Sequence, residues 1–159
     1  MKRKTKIALV TLAVAASTLL VWSDSGENHA PTIEGVWQVT RVGVNCNDRN
    51  QELGSPFPAI MTFHRDGTLT GAAKSPVTGP FDTAEYGTWQ REPGSQNYSF
   101  RDVAYRYDGA GTFLGPLILI ANVELTGANT LIYNATIQIV DAKGDLIESR
   151  CGRGTATRF

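Results

Sequence analysis

The sequence predicts an all-β chain folded as an eight-stranded antiparallel up-and-down (meander) barrel. Three observations predict it. First, Asp66-Gly67, Asp108-Gly109-Ala110-Gly111 and Asp141-Ala142-Lys143-Gly144 each separate two runs rich in Val, Ile, Thr, Tyr or Phe. Asp and Gly supply the unusual backbone angles of hairpin turns, and β-branched and aromatic residues suit the strands between them. Second, no amphipathic helical pattern intervenes after residue 33. Third, a long meander must hide its two edges, and closing into a barrel removes them.

The elements follow in chain order. Lys2, Arg3, Lys4 and Lys6 precede an uncharged apolar run from Ile7 to Trp22. That is the pattern of a secretory signal peptide, and the run is shorter than the roughly 20 residues of a membrane-spanning helix. Residues 1–23 are therefore read as a signal peptide, 24–33 as a flexible spacer and 34–159 as the barrel domain. The expected location is exported, periplasmic or secreted, with an uncleaved N-terminal anchor as the alternative. The eight strands are expected near 35–44, 59–64, 68–73, 86–91, 98–107, 113–125, 130–140 and 146–158. Asn45–Pro58 and Lys74–Ala84 are the long connections, each carrying Pro, Gly and Ser.

Alternation fixes faces in several strands. Leu131, Tyr133, Ala135, Ile137 and Ile139 share one side, with Asn134, Thr136 and Gln138 on the other. Leu117 to Ala121 is apolar on both sides, so either the protein's own segments cover it or a second copy does. A homodimer through Phe113–Leu125 is the expectation for the latter. Gly152 and Gly154 interrupt the last strand, where glycine marks a bend, a bulge or a close approach.

Charge and cysteines narrow the function classes. The chain has 15 basic and 15 acidic residues. Four basic residues and no acidic ones lie in the leader, leaving 11 against 15, a net charge of −4. An acidic domain without a Lys/Arg-rich stretch is a poor nucleic-acid binder, and no nucleic-acid partner is expected. Cys46 closes the first strand and Cys151 lies in the last, so a disulfide between them would pin the seam of the barrel. An even pair in an exported chain is the usual disulfide case. Chain entropy for a loop of about 100 residues gives up to about 4–5 kcal/mol.

Gly35-Val36-Trp37 at the head of the first strand and Arg158 on the last resemble the lipocalin and wider calycin pattern. The resemblance implies that Trp37 plugs one barrel end and that Arg158 packs across its ring. The chain lacks a recognisable helix between its last strands and the T-D-Y-type motif of true lipocalins, so the likeness is calycin-like. Asp66 to Gly71 is also similar to a hairpin of avidins, but no tryptophan follows Trp89 to box biotin.

Chemistry is sparse. The only histidines are His29 and His64, no metal-ligand cluster or nucleophile motif occurs, and no cofactor or metal is expected. In the fifth strand, Tyr98 and Phe100 share one parity, and Val103, Tyr105 and Tyr107 the other. A bulge near Asp102 would turn both sets inward. The expected cavity lining is Met61, Phe63, Trp89, Tyr98, Phe100, Tyr105, Leu119 and Tyr133. The leading expectation is a binding protein for a small apolar or amphipathic molecule. The alternatives are a non-catalytic interaction module with a filled barrel, and a cofactor-free isomerase or cyclase. The last requires Arg101, Asp102 or Glu124 to point inward; Arg41 is ambiguous.

Overall fold

The hairpin turns share one construction. In the computed structural model, which describes residues 31–73 and 81–159, the amide of Gly67 bonds the carbonyl of His64, that of Gly111 bonds Asp108, and that of Gly144 bonds Asp141. The residue opening each turn then takes the carbonyl four positions on, at Thr68, Thr112 and Asp145. The closing glycine has φ of +83°, +83° and +99° respectively, a region a Cβ disfavours. Asp108 and Asp141 add side-chain bonds to the amides of the same turns.

These turns separate nine strands: β1 Gly35–Val44, β2 Glu52–Phe63, β3 Thr68–Ala73, β4 Phe81–Asp82, β5 Glu85–Arg91, β6 Asn97–Tyr107, β7 Phe113–Gly127, β8 Thr130–Val140 and β9 Leu146–Arg158. Antiparallel neighbours run β1, β2, β3, β5, β6, β7, β8 and β9, and β9 pairs back onto β1 from Trp37↔Arg158 to Val44↔Cys151. The barrel is therefore closed and eight-stranded, and the described residues contain no helix. This architecture is compatible with a calycin-like fold. β4 is a two-residue extra that pairs only with the end of β6. The expected signal peptide and most of the expected spacer fall on residues 1–30, outside those described.

The second strand is longer than expected. It begins at Glu52 and carries Pro56 and Pro58 within it. Among the described residues its first half pairs with β1, and β3 joins from Ala59 onward. Proline is tolerated in a strand that has a ladder on one side, as the described residues give it there. A register shift between Arg41 and Gly43, with Gly54 at φ +92°, absorbs the extra residues.

One barrel end is sealed. Ile33 and Trp37 are fully buried, and the Trp37 indole nitrogen donates to the Ile33 carbonyl at 2.7 Å. The Arg158 guanidinium lies 4.4 Å from the Trp37 ring centre and donates to the carbonyls of Thr32, Glu34 and Ala128. A cation over an indole contributes about 0.5–2 kcal/mol, and three carbonyls hold it there. Gly35, at φ +122°, leaves the space that Arg158 fills. Thr32 and Ile33, the last residues assigned to the spacer, thus belong to this cap.

At the opposite end Cys46 and Cys151 form a disulfide, their Cα atoms 5.2 Å apart and 105 residues apart in sequence. It joins the β1–β2 connection to β9 beside the closing seam, and is consistent with an oxidising compartment. Val42, Val44 and Cys151 form a small buried cluster there, separate from the main core. Replacing both cysteines with serine is expected to lower unfolding free energy by about 2–4 kcal/mol in urea titrations. A loss under about 1 kcal/mol would mean that the β1–β9 ladder holds the seam unaided.

Candidate functional site

Strand parity divides the interior into a filled half and a hollow half. Next to the cap, Phe63, Trp89, Tyr98, Phe100 and Tyr133 form a chain of edge-on and tilted ring contacts with centroids 5.5–6.3 Å apart. Met61, Leu69, Val123 and Leu131 fill the space between them. Towards the disulfide end the inward residues shrink to Ala73, Ala104, Leu119, Ala135 and Gly152, and a cavity of about 100 Å³ opens. Its walls include Phe57, Leu117, Leu119, Ala135, Ile137 and Ile139, with Thr83, Arg150 and Arg153 among the polar lining residues.

The junction of the two halves is polar. Arg41, Glu85 and Asp102 are 6 %, 6 % and 1 % exposed, the only charged side chains so buried among the described residues. Arg41 lines the cavity and bonds Glu85 through both terminal nitrogens, at 2.5 and 2.8 Å. Its Nε donates to the Tyr133 hydroxyl oxygen at 2.9 Å. Both Asp102 oxygens lack a hydrogen-bond partner among the described residues.

The sequence makes room for this group with glycines. A Cβ on Gly71 would strike the Glu85 carboxylate, and one on Gly154 would overlap the Tyr133 ring. One on Gly87 would collide with the backbone of Arg101 and Asp102. Gly154 therefore marks a close approach, and neither Gly152 nor Gly154 marks a bulge, since β9 pairs with β1 in unbroken register across both. Gly154→Ala is expected to displace Tyr133 from Arg41 and cost about 1–3 kcal/mol, as overpacking does. Gly109→Ala, with open space at its Cβ, is the control and should stay within about 0.5 kcal/mol of the parent in the same denaturation assay.

Burial governs the protonation of the cluster. It works against the Arg41 charge, but the Tyr133 oxygen and the Glu85 carboxylate outweigh it, so the guanidinium stays charged. Burial, then the Glu85 charge, pushes the Asp102 carboxyl up to about 8, and Arg41 offsets this only in part. Burial also pushes the Tyr133 hydroxyl up, so it keeps its proton.

Of the eight expected cavity residues, Leu119 and Tyr133 line the cavity. Met61, Phe63, Tyr98 and Phe100 are buried in the filled half, with half-buried Trp89 packed against them. Tyr105 is 48 % exposed and packs on Phe113 outside the wall. The bulge expected at Asp102 is absent: β6 keeps register with β5 and β7 through that residue and shifts only at Arg106/Tyr107. Alternation therefore carries Tyr98, Phe100, Asp102 and Ala104 inward and Tyr105 outward. Arg101 and Glu124 are exposed. Glu85 was not anticipated, because β5, expected over 86–91, begins one residue earlier. Among the described residues no group of three or more His, Cys, Asp or Glu could hold a metal. No family model matches this sequence, and no curated protein matches it significantly.

Proposed function

We propose that this chain is an exported, lipocalin-like barrel that binds a small, largely apolar molecule entering at the disulfide end. The observation that carries this reading is the hollow half itself: an apolar cavity, closed beneath by packed aromatics, that ends on a built polar group. Cavities of this composition, with a few fixed polar atoms, are the usual form of a small-molecule site. At about 100 Å³ the space is below the roughly 300–1,000 Å³ of a drug-sized pocket. The ligand is therefore small, or inserts only one end.

Native mass spectrometry of protein purified from its own host's exported fraction tests the reading. An extra mass that is released on denaturation, and is missing from an Ala135→Phe variant that still folds, supports it. A clean unliganded mass, with no small apolar compound bound at millimolar concentration, sinks it and favours an interaction module. The same spectrum reads oligomeric state. A second copy would dock on the outer face of β7, where Ile120 is 41 % exposed and Ile118 half-buried.

A cofactor-free isomerase or cyclase is the second reading, and one observation favours it. Asp102 points inward, has no partner among the described residues and sits beside the polar floor, as a proton donor in an apolar site does. Deuterium incorporation into a bound ligand from D₂O, lost in Asp102→Asn, would support it; a ligand recovered without deuterium would remove it.

A further inference from the structure

The charges around the cavity are already spent on one another. Three guanidiniums line it, and each has its own carboxylate: Arg41 with Glu85, Arg150 with Glu148 at 2.6 Å, and Arg153 with Glu52 at 2.6 Å. An anionic ligand would have to break one of these pairs or meet Glu85. A cationic ligand would meet Arg41. Either brings an uncompensated charge into an apolar chamber, which costs several kcal/mol.

The floor keeps hydrogen-bond donors that the protein does not use. Three of the five Arg41 N–H groups donate to protein atoms, and the Tyr133 oxygen accepts one of those bonds. The Tyr133 proton is left over, with no acceptor among the described residues. Its oxygen bears the pull of the guanidinium, which strengthens the hydroxyl as a donor. The Gly154 gap fixes the ring where that donor sits.

We propose that the cavity floor receives one uncharged acceptor, a carbonyl oxygen bonded by the Tyr133 hydroxyl, so that the ligand class is small ketones, esters or lactones. This deepens the binding reading above and rests on it. The apolar body of such a molecule lies against Leu117, Leu119, Ile137 and Ile139, and the carbonyl satisfies the Tyr133 donor. A buried donor left without an acceptor costs about 1–3 kcal/mol, so the preference for a carbonyl over a hydrocarbon of equal shape should be about tenfold.

The test compares four probes of one shape on the oxidised protein: cyclohexanone, cyclohexane, cyclohexylamine and cyclohexanecarboxylate, with affinities read by ligand-observed NMR. The ketone should bind about tenfold tighter than the hydrocarbon, and the amine and carboxylate more weakly than either. Tyr133→Phe should erase the ketone's advantage and leave the hydrocarbon's affinity unchanged. Carbon-13-edited infrared spectroscopy should show the ketone C=O stretch moving to lower frequency on binding to the parent protein, which needs no variant to fold. Equal affinity for ketone and hydrocarbon, an unshifted carbonyl band, or tighter binding of either charged probe overturns the carbonyl site while leaving the binding reading in place. Failure of all four to bind overturns both.

Discussion

Asp102→Asn is expected to stabilise the barrel by about 2–4 kcal/mol at pH 7 and by far less at pH 5. In the folded barrel Asp102 keeps its proton up to about pH 8, whereas in the unfolded chain it loses it near the usual carboxylate value of roughly 4. Between those values the unfolded chain binds fewer protons than the folded one, so this residue's contribution to stability falls as pH rises. The slope is about 1.4 kcal/mol per pH unit, which accumulates to the order of 4 kcal/mol by pH 7. Asparagine has the same shape and no charge to desolvate, but its amide is still unpaired, so recovery is incomplete. The groups that bear on Asp102 are Glu85, which raises its pKa, and Arg41, which lowers it. Urea titrations of parent and variant at pH 5 and 7.5 check the claim through the difference between the two curves. Parallel pH dependences in parent and variant would mean that water reaches the carboxyl and it titrates normally.

Arg41→Met carries the opposite sign. It removes the buried cation and leaves Glu85 facing Asp102 in an apolar chamber, a loss of about 3–5 kcal/mol near neutral pH. The double variant Arg41→Met/Glu85→Leu should regain most of it, because well-packed apolar residues often match a buried ion pair in stability. Equilibrium denaturation of both single variants and the double gives the coupling directly. A double variant no better than Arg41→Met would show that the pair's geometry, rather than its charge balance, holds this part of the barrel. Two costly carboxylates and the glycines that make room for them fit a group retained for what it binds.

Much of the barrel is legible from turn chemistry alone. Asp-Gly and the two Asp-x-x-Gly turns stand where the hairpins are, and β1, β3, β8 and β9 have the bounds their residue patterns suggest. The start of β2 was hidden because Pro56 and Pro58 argue against a strand, yet both lie where the described residues give β2 a ladder on the β1 side only. The polar floor was legible in principle through parity. Trp37 faces in, so Val39 and Arg41 do; Trp89 packs against the core, so Gly87 and Glu85 share its side; Tyr98 and Phe100 carry Asp102 with them. Taking the aromatics as the phase reference along each strand finds all three charges. Treating charged residues as outward-facing by default, or invoking a bulge to turn Tyr105 inward, loses them. What no strand pattern could supply is the pairing of Arg41 with Glu85, 44 residues away. That contact depends on how far the strands are staggered around the barrel.

The ladder that closes the barrel joins its first strand to its last, and the cap ties Thr32 and Glu34 to Arg158. Neither contact can form until β9 has been made. Until then β1 and β8 present two open ladders, so a growing or truncated chain is a template for strand addition and aggregation. Loop closure over so many residues also makes folding slow. A barrel organised in this way closes only after its last strand is made, and any cellular step that keeps the chain extended until then works with its topology.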